Sequence, residues 1–547
     1  MIGKLSSIFN CVMKKRQQSR LRQMMRGYRI LKQTSRLNLI EIVKQALTEH
    51  NLNQNNQTIS SFVIGSGAGL GEIVIRQYLL VRVGDIKLNR ALLLSLAKDN
   101  KRVIFPLPKE WRKILMQYDF KVAHFRSALL WQLYVVIFLL YGIIKIGAIT
   151  FAGITSGKKT VLYQKRYAYF ANLGIDNLPK KINSGESYNI ISWYLQWIGR
   201  ASDLEVIHHG VTKALPTVVG GIPISPRQAP LPELVGIQSI VRYFFWGLGA
   251  SLIAVLHCLH GRWWYALLLN QAAIAAQVRN LPAGLLAQDY LFNISGWIYR
   301  PLWTYEAEQL GSAITFYFYS TNSESFKKQN GYPPINHGWK AMSWPHYLVW
   351  DKYQADFVRQ AVGNYANISI VGSIWFQGGV VEVPKINNPS IAVFDVQPVR
   401  SSRYRILGMD LEYYIPEISI RFLSDILESI SKMDGNMILK RKRKIGKLAH
   451  PKYRNFLNKL DLHPHFHTID SEISAYALCE KCSLVISMPF TSTALIAEGL
   501  GKPSIYYDPS GIIQKDDRAA HGIPIISGQK ELKNWLEANI CNQNRIN

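Results

Sequence analysis

The last third of the chain alternates apolar runs of strand length with helical stretches, and this alternation limits the fold more than any other feature. "SIAVFDVQP" (390–398) reads as a strand and "PEISIRFLSDILESISKM" (416–433) as an amphipathic helix. "NMILKRKRK" (436–444) is a strand that ends in charge, and "SEISAYALCEKC" (471–482) is a helix. "SLVISMPF" (483–490) and "PSIYYD" (503–508) are strands with the helix of "TSTALIAEGLG" (491–501) between them. Apolar runs of this length, bounded by helical periodicity, are buried parallel strands with helices on both faces of the sheet.

A similar series precedes it. "RVIFPLP" (102–108) reads as a buried strand followed by the helix "KEWRKILMQYDF". A helix around "RPLWTYEAEQLG" stops at Gly311 before the aromatic strand "AITFYFYS" (313–320). "HYLVW", "DKYQADFVRQAV" and "ISIVGS" carry the alternation to residue 373. "VEVPKINNPS" (381–390) has no periodicity and separates the series as a linker. The expected class is therefore α/β: two Rossmann-like domains facing a cleft, with ligands beyond the carboxyl ends of the strands. Their limits are read as 51–384 and 385–530, with a basic arm over 1–50 and a tail over 531–547.

Charge narrows the partners. The 547 residues carry 64 Lys and Arg against 36 Asp and Glu, a formal net charge of +28. An anionic partner is implied: a phosphorylated substrate, a lipid surface or a nucleic acid. Residues 14–36 hold nine cations and no acid, and Leu21, Met24, Met25, Tyr28 and Leu31 recur at helical spacing. Such a helix either lies on anionic lipid or rests its apolar stripe on the body. Apolar segments at 127–154 and 241–276 interrupt the first domain, and three readings compete for them: bilayer spans, helices in one leaflet, or core. Trp246, Trp263 and Trp264 suit an interface. Five cysteines do not make a disulfide framework, and Cys479 and Cys482 read as small apolar residues on a helix. The opening residues lack an apolar run of signal length. "VIGSGAGLGE" (63–72) misses the G-x-G-x-x-G spacing and reads as a glycine-rich turn.

Two stretches of the second domain can hold an anion. Lys440, Lys442 and Arg443 stand where a buried strand reaches the rim of its sheet. Thr491, Ser492 and Thr493 open a helix, whose free N–H groups and hydroxyls suit a phosphate. No Asp-x-Asp occurs in the chain, so no metal or other cofactor is expected, and the protein's own cations would face a pyrophosphate. For proton transfer from an acceptor hydroxyl the candidates are Glu324, Glu306 and His209, the last in "EVIHHGV".

"MPFTSTALIAEGLGKPSIYYDPSG" resembles the signature of the bacterial polysaccharide-biosynthesis PFTS-motif proteins, with Pro489, Phe490, Thr491 and Ser492 supplying the motif. "NIISWYLQW" (189–197), "RPLWTYEAEQLGSAITFYFYSTN" (300–322) and "FDVQPVR" (394–400) are similar to the same family. The arrangement also resembles GT-B glycosyltransferases of the sialyl and Kdo type. That likeness implies a donor phosphate held at the serine/threonine pair, Glu498 near the donor ribose and Gln397 in the donor site. Lys440 and Lys442 stand where those enzymes have His-Pro, a departure that bears on the donor.

The expected activity is a metal-independent glycosyltransferase of bacterial surface polysaccharide (O-antigen or capsule type). It would move sugar from a nucleotide-sugar donor to a glycan or lipid-linked acceptor. Its place would be the cytoplasmic face of the inner membrane, peripheral or monotopic on an anionic surface, with no nucleic acid bound. Two other readings remain: a non-catalytic nucleic-acid-binding or scaffold protein at the membrane, and a polyol-phosphate transferase of the teichoic-acid polymerase type.

Overall fold

The computed structural model describes residues 19–36, 38–53, 79, 82–83, 85–97, 102–156, 166–174, 178, 190–198, 203–293, 300–318, 320, 326–335, 339–372, 383–384, 389–398, 413–441, 449–471 and 473–543. Two sheets organise them. The first contains β1 (Tyr167–Ala171), β2 (Val206–His209), β3 (Thr217–Val219), β4 (Ile222–Pro226), β5 (Asp289–Asn293), β6 (Ala313–Tyr317), β7 (Tyr347–Val349) and β8 (Ile368–Ile370). Its order is β3-β4-β2-β1-β5-β6-β7-β8, parallel throughout except for β3 against β4.

The second contains β9 (Ser390–Phe394), β10 (Asn436–Lys440), β11 (Phe466–Thr468), β12 (Leu484–Ser487), β13 (Ser504–Asp508) and β14 (Ile525–Ser527). Its order is β11-β10-β9-β12-β13-β14, all parallel. Numbered along the chain this is 3-2-1-4-5-6, the doubly wound order in which the connections reverse between the first and fourth strands. The α/β expectation therefore holds, with parallel strands buried on both faces: every residue of β9 and β12 is buried.

The helices follow from their stripes. Pro416–Ser431 buries Ile418, Phe422, Leu423, Ile426 and Ile430 while Glu417, Arg421 and Glu428 face out, with Pro416 at the first turn. Asp351 caps Lys352–Val362 by accepting from the Gln354 N–H at 2.9 Å.

The two units meet through segments that follow strand carboxyl ends. Beyond β6, Phe326 packs on Tyr413, Tyr414 and Phe490, with ring centroids at 5.5, 6.0 and 4.9 Å. The Lys327 N–H donates to Asp517 Oδ2 at 2.7 Å, and Tyr332 Oη donates to Asp517 Oδ1 at 3.2 Å. Beyond β7, Asp351 pairs with His521 Nδ1 at 2.6 Å. The carboxyl ends of the two sheets are thus turned towards each other.

One sequence expectation fails in place, and two others, each left open between readings, are seen as helices. No strand forms over 102–108, where Val103 makes one isolated bridge to Val122. Pro106 and Pro108 supply no N–H to a ladder, and Phe105 and Leu107 are instead buried in a helical lobe. The basic helix, over 19–33, does rest its stripe on the body: Met24 and Leu31 are buried, and a Cβ on Gly27 would lie 2.0 Å from the Leu93 carbonyl oxygen. The apolar segments are three helices, His124–Ser156, Ile237–Leu259 and Trp264–Arg279. The turn read at 63–72 lies outside the described residues.

Candidate functional site

β9 and β12 lie side by side and their connections depart in opposite directions, the point beyond which sheets of this order form a binding crevice. Register fixes what surrounds it. Phe394 stands between Lys440 of β10 and Ser487 of β12 at one level, so Lys440 and Ser487 share a sheet face two strands apart, about 10 Å. Residues 488–493 follow β12 directly and bring the Pro489-Phe490-Thr491-Ser492 segment to the crevice.

The three hydroxyls there are not equivalent. Thr491 Oγ1 donates to the Met488 carbonyl at 2.8 Å, which commits its proton. Thr493 must then donate to Thr491 (3.2 Å), and Ser487, wholly buried, donates to Thr493 (2.8 Å). Ser487, Thr493 and Thr491 thus form a one-way chain that braces the turn. Tyr506 Oη and Tyr414 Oη hold it from outside, donating to the Thr491 and Pro489 carbonyls at 2.8 Å each. Ser492 occupies the cap position of the helix Thr493–Gly499 and makes no side-chain capping bond. The sequence offered three equivalent hydroxyls; the fold uses two as struts and leaves Ser492 at the cap position without a side-chain capping bond.

Phe490 has φ +64°, a conformation that a side chain of its size rarely adopts. It is held there between Phe326 of the first unit and Tyr506, whose ring lies at 5.8 Å.

Lys440 is 7 % exposed, its ammonium donating to the Ser471 carbonyl at 3.4 Å. Gln397, three residues beyond β9, is half-buried. Glu498 is exposed on the side of the joint between the units. Burial and the Asp351 carboxylate raise its pKa, against the pull of His521. Lys442, Arg443 and Glu324 lie outside the described residues.

Sequence reasoning passed over Asp395, although it sits in the quoted "FDVQPVR". It follows β9 and accepts a hydrogen bond from Tyr453 Oη on Oδ2, while Oδ1 is buried and finds no side-chain partner among the described residues. Burial pushes this carboxyl up to about 7, the Arg441 guanidinium pulling the other way. Below about pH 7 the acid is mostly protonated, which lessens the negative charge at the place where an anion would approach.

The first sheet has its own reversal, between β1 and β5. A cavity of about 380 Å³ opens at that point, lined by Tyr169, Asn172, Gly210, Gln228, Phe292 and Trp303 among others. Asn172 takes φ +61° to turn the chain away from β1. His209 ends β2 one residue before Gly210; it is 1 % exposed, accepts from the Val211 N–H at 3.2 Å, and burial lowers its pKa. His208 is driven down to about 4 by burial and by Arg227. Glu306 is placed elsewhere. It is buried in the helix Trp303–Gln309 with Arg279 at 3.7 Å, the position of a structural ion pair. The crevice of the second sheet therefore gathers Lys440, Gln397, Thr491, Ser492 and Thr493, and not Glu306 or His209.

A family model described as "Polysaccharide biosynthesis PFTS motif protein" matches residues 246–536, more than half of the chain. No curated protein matches the sequence. Among solved structures, UGT89C1 of Arabidopsis thaliana aligns with 10% identity and a TM-score of 0.38, covering 69% of this chain and 90% of its own. UDP-GlcNAc 2-epimerase from Methanocaldococcus jannaschii aligns with 9% identity and a TM-score of 0.35, covering 69% and 92%. Anabaena Alr3699/HepE, in complex with UDP and glucose, aligns with 9% identity and a TM-score of 0.34, covering 70% and 91%. Likeness at this level carries no chemistry across.

Proposed function

The chain belongs to the polysaccharide-biosynthesis PFTS-motif family, and from that premise we propose that it is a glycosyltransferase using a nucleotide-sugar donor. One observation carries the reading: the family's signature segment falls at the reversal point of a 3-2-1-4-5-6 sheet, facing a second unit across a cleft. The 385–530 domain binds the donor. Its diphosphate lies over the turn 488–493, where Ser492 donates to it and Lys440, with Lys442 and Arg443, balances its charge without a metal ion. Gln397 and Glu498 contact the nucleoside.

The 51–384 domain takes the acceptor, a surface glycan or its lipid-linked precursor, in the cavity beside Asn172 and Trp303. An acceptor hydroxyl attacks the anomeric carbon as the nucleoside diphosphate leaves. Its proton passes to Glu324, or to Nδ1 of His209 once that nitrogen gives up the Val211 N–H it accepts. The enzyme works at the cytoplasmic face of the inner membrane, its positive charge serving both the donor and an anionic bilayer.

Thermal unfolding with CMP- and UDP-sugars tests this. One class should stabilise saturably, by about 2.7 kcal/mol at a hundredfold excess over Kd, and Lys440→Ala should remove that increment, measured against the variant's own unliganded transition. No stabilisation by any nucleotide sugar, with retention on heparin, would refute it.

A further inference from the structure

The helices His124–Ser156 and Ile237–Leu259 form the outermost layer of the first unit, and both are long and apolar enough to cross a bilayer. Their inner faces are fixed by close packing. A Cβ on Gly247 would lie 2.3 Å from Ile146, and one on Gly142 2.7 Å from Leu269 of the helix Trp264–Arg279. That third helix is buried almost all round. It packs in one cluster with Leu302 and Tyr305, and Arg279 pairs with Glu306. Behind it stands the first sheet, with Val278 beside Tyr290 and Phe292.

A helix that crossed the membrane in this packing would carry an open α/β sheet and a buried ion pair into hydrocarbon, where exposed sheet edges do not occur. The outer faces are nonetheless bare. Ile137, Ile144, Phe245 and Leu252 are 60, 68, 66 and 61 % exposed. The apolar strip runs along both helices as a contiguous exposed face of the kind that marks a contact surface.

Charge names the occupant. No Asp or Glu occurs over 121–156 or 237–280. Trp131 and Trp263, with ring centroids 5.0 Å apart, bring the start of the first helix to the end of the second. Exposed Lys121, Arg126 and Arg262 therefore gather at one end of the strip. The basic helix over 19–33 sits in the same lobe, with Arg20, Arg22, Arg26, Arg29 and Lys32 outward.

We infer that these two helices lie flat in one leaflet of an anionic membrane, as an in-plane platform that neither crosses the bilayer nor serves as a contact for a second copy. This rests on the membrane placement proposed above and fixes its geometry. The strip supplies the insertion energy and the cations engage the headgroups.

The full chain, added to preformed sealed vesicles containing phosphatidylglycerol, should float with them. The triple variant Lys121→Gln/Arg126→Gln/Arg262→Gln should bind about fivefold more weakly per cation, on the order of 100-fold in all. Ile137→Glu/Phe245→Glu/Leu252→Glu should abolish flotation while keeping its melting transition and its nucleotide response. Cysteines at His124→Cys and Thr155→Cys, at opposite ends of the first helix, should both react with an impermeant maleimide from outside the vesicle. Protection of either one until detergent is added would mean a span and overturn the in-plane geometry. Failure to float, with self-association that the triple Glu variant dissolves, would overturn the membrane as occupant; the nucleotide measurement needs no lipid and would stand or fall separately.

Discussion

Asp395→Asn isolates one buried charge. In the folded chain burial raises this carboxyl from its ordinary 3.8 to about 7. A rise of this size corresponds to about 4 kcal/mol of linked stability. The sign follows from proton binding: between about pH 4 and about pH 7 the folded state keeps a proton that the unfolded chain has released, so stability falls as pH rises through this window. Asparagine matches the protonated acid in shape, still accepts from Tyr453 and does not titrate. At pH 4 variant and parent should be nearly equal in stability. By pH 8 the variant should be the more stable, by an amount approaching about 4 kcal/mol, the net of burial against the opposing pull of Arg441. Urea denaturation of both chains across this range, followed by a probe in the second unit, measures the difference directly, since other titrating groups cancel. Parallel pH profiles would refute the reasoning and mean that Asp395 ionises normally against Arg441.

Other changes discriminate between roles. Glu306→Gln leaves Arg279 beside a neutral amide and should cost about 2–3 kcal/mol; lost transfer activity with unchanged stability would instead make Glu306 catalytic. Thr493→Val breaks the hydroxyl chain and orphans the buried Ser487 donor, costing about 2 kcal/mol. Ser492→Ala should stay within about 0.5 kcal/mol yet raise the donor KM, and the reverse pattern would exchange the roles of strut and ligand. Phe490→Ala loses the packing at the joint, about 3 kcal/mol, and should expose 326–332 to protease. Phe490→Gly, free of the positive-φ penalty, should be about 1 kcal/mol more stable than the alanine variant.

What the sequence made legible was whatever local pattern decides. The second sheet could be read because strands such as β9 and β12 are short apolar runs and helices such as Pro416–Ser431 bury a clean stripe. The run 102–108 misled because its apolar residues satisfy a helical lobe, and two prolines deny it a ladder partner. Composition could not decide among the readings of 127–154, since a helix with one face on the protein and one bare has the same composition as a core helix or a span. The roles of Ser487, Thr491, Ser492 and Thr493 were illegible for a different reason. Which hydroxyl is free depends on the direction of a proton chain that includes a residue from the preceding strand. Asp395 looked like an ordinary polar residue at a strand end; its burial arises from Tyr453, on a helix 58 residues later.

The joint and the crevice share a residue, and this couples them. Phe490 is the second residue of the signature segment and also the ring on which Phe326 of the first unit rests. Its φ of +64° is a conformation that costs about 1 kcal/mol or more for a side chain of this kind, and the flanking contacts at Pro489 and Thr491 keep it in place. The contacts that join the units run through segments after β6, β7, β9, β12 and β13, whereas Lys440 ends β10 on the opposite side of β9 from β13. A ligand seated between Lys440 and Ser492 would press on the turn one or two residues from the joint. Its binding energy would then act on the relation between the two units as well as on the crevice itself, through a turn whose backbone has little freedom to absorb it.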